Sequence, residues 1–222
     1  DLIYARQNQK LTQWEVELNQ ALDLGANHMS LYQLTIEQNT AFGDRYNRGL
    51  LKGLPSDDIS AELYDITSDL CEDRGFSAYE VSNYAQEGSE SVHNLVYWRY
   101  GDYIGIGPGA HGRLTVDGKR YATETFLSPE EWLTKVDNQG SGESFLSELS
   151  QEQQAAEMAM MGLRLNEGIN FKRFENLSGS SFSEEKLSFL KSIQLIEQKE
   201  GNIIATFSGR KVLNSVLAEL LN

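Results

Sequence analysis

The chain has 222 residues, of which 40% are hydrophobic and 23% charged, so it can bury the core of one large domain or of two small ones. Its net charge of -14 argues against binding bare nucleic acid or an anionic membrane surface, because both require clustered Lys and Arg. The single cysteine, Cys71, excludes an intrachain disulfide and favours a reducing compartment, and no signal peptide or membrane-length apolar run is visible.

The first half of the chain alternates predicted strands with predicted amphipathic helices. Strands are predicted at 1–4, 28–36, 76–84 and 103–106. One helix begins at a capping box formed by Thr12 and Glu15 and ends at Gly25, and a second runs from Ser56 to Gly75. This alternation is typical of βαβ units, so we expect the first three strands to be parallel and ligands to bind near their carboxyl ends.

The second half changes character twice. The pattern weakens between about residues 114 and 150, where Ser128-Pro129 predicts one short helix within a connector. Beyond it the sequence predicts helices at 151–165, 170–176 and 183–193, a hairpin turning at Glu200-Gly201-Asn202, and a closing helix at 208–221. This order resembles a winged helix. The segment contains 8 Lys+Arg and 9 Asp+Glu, a net of -1, so we expect it to pack on the preceding domain rather than to bind DNA.

Two motifs could carry chemistry, and each has a structural alternative. His93-Asn94-Leu95-Val96-Tyr97-Trp98 could line a pocket for a flat ligand, or it could anchor a loop through a buried Trp. The glycine-dense stretch at 105–112 does not match a dinucleotide-binding motif, and it is either a tight turn with close backbone approach or a ligand contact. The three histidines form no recognisable metal-binding spacing.

Taken together, several segments resemble the HemW/HemN type of radical S-adenosylmethionine (SAM) protein. They are, in order, Asp1-Leu2-Ile3-Tyr4, the stretch SLYQLTIE at 30–37, YEVSNYA at 79–85, HNxxYW at 93–98, GDYIGIG at 101–107 with GAHG at 109–112, and, more weakly, MMGLRLNEG at 160–168. The resemblance implies an α/β fold: the C-terminal half of a partial (β/α)6 radical-SAM barrel over 1–115, a connector with a short helix over 116–150, and a small winged-helix-like domain over 151–222.

The resemblance also implies cofactors and the residues that bind them. Proteins of this type bind a [4Fe–4S] cluster through a CxxxCxxC loop, which this chain lacks, so the chain by itself should hold no cluster and be inactive in radical chemistry. The missing loop and the absence of an initiator Met lead us to expect that an upstream part is missing. By resemblance, SAM would contact Asp1, Ile3 and Thr35, although Arg6-Gln7-Asn8-Gln9 departs from the usual Pro-Gly pair of this loop.

For function, the HNxxYW motif favours a haem chaperone that binds haem and delivers it to haem-dependent proteins. Haem would contact His93, Tyr97 and Trp98, with His93 as the iron ligand and His111 as its strongest rival. Further pocket candidates are Gln33, Glu37, Gly105, Gly107 and His111. The alternative function is oxygen-independent coproporphyrinogen III oxidase. The resemblance implies a cytoplasmic protein whose partners are haem and haem-accepting proteins, a membrane-associated acceptor among the options, with no nucleic acid.

Overall fold

The computed structural model describes residues 1–221, and the chain divides into two compact units, Asp1–Ser91 and the residues from Val92 onward. This division falls earlier than position 115, where the sequence led us to end the first domain. Within residues 1–221, every helix falls short of the length and apolarity needed to cross a membrane.

The first unit is a four-stranded sheet covered by helices. Its elements are β1 (Leu2–Tyr4), α1 (Leu11–Leu22), β2 (His28–Gln33), α2 (Ala41–Asn47), α3 (Asp57–Asp73), β3 (Ser77–Ala78) and β4 (Asn83–Ala85). The strand order is β1-β2-β4-β3, and β1 pairs with β2 in parallel, with Leu2 opposite Leu31. One face of this sheet packs on α1 and α3 through a core that contains Trp14, Leu18 and Leu63, each fully buried.

The third predicted strand is wrong as a single parallel strand. Residues 76–84 instead form a reversal, so that β4 runs antiparallel to both β2 and β3. The reversal is stabilised by Glu80, which is fully buried and whose Oε1 accepts hydrogen bonds from Ser82 N at 2.8 Å and Asn83 Nδ2 at 2.5 Å. A buried carboxylate needs such donors, and satisfying them within three residues bends the chain back on itself.

The helix boundaries were predicted with mixed success. Ser56 caps α3 as expected, since its Oγ accepts from Ile59 N. The capping box at Thr12 is wrong, because α1 begins at Leu11 and Gln13 Oε1 accepts from Lys10 N at 2.9 Å. Lys10 offers no oxygen acceptor, so no conventional capping residue marks the start of this helix.

The second unit opens with α4 (Val92–Trp98), followed by an antiparallel sheet. Its strands are β5 (His111–Val116), β6 (Lys119–Thr125) and β7 (Glu143–Glu148), in the order β5-β6-β7, and α5 (Pro129–Gln139) connects the last two. The stretch predicted as a connector is therefore largely sheet, although Ser128 caps α5 as expected. The predicted strand at 103–106 is wrong, since only Tyr103 makes an isolated bridge, to Arg113.

The rest of the second unit has the predicted winged-helix order. Its elements are α6 (Gln151–Gly162), β8 (Ile169–Asn170), α7 (Phe171–Ser178), α8 (Glu184–Ser192), β9 (Ile196–Lys199), β10 (Asn202–Ala205), α9 (Phe207–Lys211) and α10 (Leu213–Leu221). The hairpin turns at Glu200 and Gly201, both with positive φ as a tight two-residue hairpin requires. The structure adds a third strand, β8, beside β10 and divides the closing helix at Val212.

Candidate functional site

The HNxxYW motif folds as α4, a short helix that places His93 and Tyr97 one turn apart on the same face. His93 is exposed, and its Nε2 lies 2.6 Å from the Tyr97 hydroxyl. The two rings meet edge to face at 4.6 Å, and Tyr97 meets Tyr103 in the same way at 4.4 Å. The helix thus presents an accessible imidazole backed by two aromatic rings, an arrangement suited to a flat apolar ligand that carries a metal.

Trp98 ends α4 on another side of the helix. The Arg164 guanidinium lies 4.5 Å from the centre of the Trp98 ring. The indole Nε1 of Trp98 is buried and makes no hydrogen bond to another residue. A cavity of about 100 Å³ adjoins Trp98, with Arg99, Met158 and Arg173 in its lining. Trp98 therefore faces this cavity and Arg164 rather than His93.

The residues just after α4 are held by ion pairs that the sequence did not predict. The Tyr100 hydroxyl donates to Glu157 Oε2 at 2.9 Å, and Arg113 donates to the same carboxylate through Nη2 at 2.8 Å and Nε at 3.0 Å. Burial alone would raise the pKa of Glu157, but the hydrogen bonds from Arg113 and Tyr100 hold it below its ordinary value. The carboxylate therefore stays ionised at neutral pH.

A second arginine braces the same segment. Arg120, 7% exposed, stacks over the Tyr100 ring at 3.9 Å and donates to Asp102 Oδ1 at 2.6 Å and to Gly101 O at 2.9 Å. No sequence signal could have found this network, because its members come from α6, β5 and β6 and meet only in the fold.

In the glycine stretch at 105–112, two backbone segments pass close to each other. A Cβ on Gly105 would lie 2.5 Å from the carbonyl oxygen of His111, and Gly107 adopts φ +97°. His111 itself is exposed at the start of β5, with its Nδ1 3.6 Å from Glu124 Oε1. The structure brings Gly105 and His111 together through their backbones, while the His111 side chain points to a carboxylate in solvent.

The remaining candidates lie in the first unit. Ile3 on β1 pairs in register with Tyr32 on β2, and the two are 46% and 43% exposed, so they form an apolar step on the open face of the sheet. Asp1 is exposed and precedes β1, so it lies at the amino end of that strand and not at the carboxyl end, where we expected ligands to bind.

Thr35, Gln33 and Glu37 are exposed at the carboxyl end of β2. Thr35 Oγ1 donates to Gln33 O at 3.3 Å. Gln33 is thus the last residue of β2, whereas Thr35 and Glu37 lie in the loop that follows it.

A [4Fe–4S] cluster does not fit the residues present. Cys71 is fully buried in α3, and burial raises the pKa of its thiol to about 12, so the thiol stays protonated. Among residues 1–221 no group of three or more His, Cys, Asp or Glu side chains could hold a metal ion. The part of the chain that the structure describes thus offers no ligand set for the cluster.

Known proteins match the chain, one family over its C-terminal part and two relatives over its whole length. The HemN C-terminal domain family matches residues 149–212. The mitochondrial radical S-adenosyl methionine domain-containing protein 1 of Danio rerio is 34% identical over 233 residues, which cover all of this chain and 52% of that protein. The haem chaperone HemW of Bacillus subtilis is 34% identical over 224 residues, which cover all of this chain and 58% of that protein.

A solved structure supports the fold. Coproporphyrinogen III oxidase (HemN) from Escherichia coli, described as a radical SAM enzyme, superposes with a TM-score of 0.73 at 17% identity, covering 99% of this chain and 54% of that one. The chain spans about half the length of the curated relatives it matches. Over its full length the chain is therefore homologous to part of HemW and of radical S-adenosyl methionine domain-containing protein 1, and residues 149–212 form a HemN-type C-terminal domain.

Proposed function

We propose that this chain is part of a haem chaperone, which binds haem and passes it to haem-dependent acceptor proteins. The observation that carries the proposal is α4, where an exposed His93 stands beside Tyr97 in a chain 34% identical to HemW over its full length. Haem iron binds neutral imidazole well, and the porphyrin is largely apolar, so an imidazole with aromatic neighbours matches both parts of this cargo.

His93 would ligate the iron through Nε2, while Tyr97 and Trp98 would contact the porphyrin. In the structure the Tyr97 hydroxyl occupies Nε2 at 2.6 Å, and in either imidazole tautomer that contact has to open before a metal can take the position. Binding iron through Nε2 would therefore require this one side-chain hydrogen bond to open.

SAM is the second ligand that we propose, in the first unit. Ile3 would pack on the adenine, Asp1 would accept hydrogen bonds from the ribose hydroxyls, and the backbone near Thr35 would line the same ligand. Gln33 and Glu37 remain pocket candidates there, and Gly105, Gly107 and His111 are such candidates in the second unit. SAM bound to a cluster supplies radical chemistry in the class, and residues 1–221 contain no ligand set for that cluster.

Haem-accepting proteins are the proposed partners, and a membrane-associated acceptor is one form that they could take. We propose a cytoplasmic location by analogy with bacterial HemW, while relatives in animals are named as mitochondrial.

The proposal is tested by titrating the purified protein with haemin and following the Soret band. We expect His93→Ala to lose the red-shifted band of an imidazole-ligated haem and His111→Ala to keep it, because His111 already faces Glu124. Circular dichroism of both variants confirms that each is folded. If His93→Ala binds haem as the unchanged protein does while His111→Ala does not, the glycine stretch is the haem site and the assignment is wrong.

A further inference from the structure

The helix that carries His93 cannot fix its own orientation. α4 has seven residues, none of them buried, and a helix this short is marginal in water without tertiary contacts. The direction in which His93 points must therefore be set by what holds the two ends of α4 and the ring of Tyr97.

Its C-terminal end is held by side chains of the HemN C-terminal domain, residues 149–212. Arg173 Nη1 donates to Arg99 O at 2.6 Å and Nη2 donates to Tyr100 O at 3.0 Å, so one guanidinium binds two carbonyls at the end of the helix. Tyr100 itself is 5% exposed with φ +54°, a strained conformation that needs support from its surroundings. That support includes the hydrogen bond from its hydroxyl to Glu157.

Glu157 is also linked, through Arg113 and Tyr103, to the face of α4 that carries His93 and Tyr97. Its carboxylate binds Arg113 on β5 in a bidentate manner, and both side chains are mostly buried, with 17% and 20% of their side-chain area exposed. The Arg113 backbone exchanges two hydrogen bonds with Tyr103, of 2.8 and 2.9 Å, and the Tyr103 ring packs against Tyr97. One carboxylate thus braces α4 both at its end and behind its ligand-bearing face.

We propose that the HemN C-terminal domain positions the haem-ligating helix, with Glu157 as the positioning residue acting through Tyr100 and Arg113. The effect of Glu157 on haem binding rests on the proposed function, whereas the anchoring of α4 by Glu157 does not. The domain then has a defined role, because it holds the imidazole-bearing helix at a fixed angle.

The test compares Glu157→Gln with Glu148→Gln in the same protein. Glu148 is the matched control, because it loses the same charge from an exposed pair with Lys119 at 2.8 Å that does not touch α4. Hydrogen–deuterium exchange of residues 92–100 without haem reports the anchoring of α4. The dissociation constant for haemin and the position of the Soret band report the ligand.

We expect Glu157→Gln to speed exchange in residues 92–100 about tenfold, to weaken haemin binding about tenfold and to shift the Soret band, since a charged bidentate contact is lost. Glu148→Gln should change none of these. Tyr100→Phe removes only the hydroxyl contact with Glu157, so it should give the same changes at smaller size, and it provides the test if Glu157→Gln does not fold.

Two results would overturn the inference: unchanged exchange in α4, whatever the change in haemin binding, or exchange that rises equally throughout the second unit. A protein that shows no His93-dependent Soret band would instead defeat the proposed function. The exchange measurement would still decide whether Glu157 anchors α4.

Discussion

The contact between Tyr97 and His93 leads to an unusual expectation: removing a polar group near the ligand should tighten binding. The Tyr97 hydroxyl lies 2.6 Å from the imidazole Nε2 that haem iron would use. Tyr97→Phe removes this hydroxyl and keeps the ring that packs against Tyr103. The bound state then no longer requires that a hydrogen bond be broken.

The size of the effect follows from the exposure of the pair. His93 is exposed and Tyr97 partly exposed, so water can replace the hydrogen bond once it opens. The net worth of such a bond in proteins is about 0.5–1.5 kcal/mol. Because each 1.4 kcal/mol changes a binding constant tenfold, Tyr97→Phe should tighten haemin binding by about two- to tenfold.

The assay is a haemin titration of four proteins, with the Soret band as the signal. They are the unchanged protein, Tyr97→Phe, Tyr103→Phe and the pair Tyr97→Phe with His93→Ala. Tyr103→Phe is the control, since it removes a neighbouring hydroxyl and leaves the contact between Tyr97 and His93 in place. The double variant should show no gain from the loss of the Tyr97 hydroxyl, because the imidazole is gone.

Weaker haemin binding by Tyr97→Phe would refute the reasoning, because the hydroxyl would then assist the ligand rather than compete with it. A gain that persists in the double variant would do the same, since it would not act through His93.

Three further outcomes follow from the structure. Gly105→Ala should lower the free energy of unfolding by about 2 kcal/mol or more in urea denaturation, because its Cβ would lie 2.5 Å from a backbone oxygen of His111, and unchanged stability would show that this close approach is absent. The pKa of Glu157 is lowered in the folded state, so the ionised carboxylate stabilises the fold. The difference in free energy of unfolding between the unchanged protein and Glu157→Gln should be largest at neutral pH and shrink as the pH falls below about 4.5. A difference that grows on acidification would contradict the assignment. Cys71 should react with a thiol reagent only after denaturation, because burial raises the pKa of its thiol to about 12. The chain should also stay colourless after anaerobic iron–sulfide reconstitution, because its one cysteine cannot supply the thiolates that a cluster needs, and a stoichiometric brown cluster would disprove this.

Local chemistry determined much of what the sequence could predict. The caps at Ser56 and Ser128 depend on neighbouring residues and were predicted at their positions. The hairpin was predicted to turn at Glu200-Gly201-Asn202, and the first two of these residues form the turn. The winged-helix order was also predictable, because its helices and hairpin carry their periodicity within short windows. The resemblance carried by the motif at 93–98 could be recognised for a related reason, because its residues are contiguous in the sequence.

The antiparallel strands could not be predicted from the sequence, because they depend on tertiary contacts. The turn at Asp117-Gly118, with φ of +51° and +77°, allows β5 and β6 to pair, but the strands read as a weak pattern because much of their surface is exposed. The reversal at 76–84 is stabilised by a buried Glu80, and nothing in the sequence distinguishes a buried glutamate from an exposed one.

The contacts that support the candidate haem site likewise depend on the tertiary structure. Glu157 is separated by 44 residues from Arg113 and by 57 from Tyr100, and nothing in the chain distinguishes it from other acidic residues. Its partners meet only when α6 packs against α4 and β5, since side chains this far apart in sequence are brought within hydrogen-bonding distance by the burial of apolar surface around them. The sequence could therefore indicate His93 as the candidate ligand. Only the tertiary structure could identify Glu157 as the carboxylate that holds the helix bearing His93.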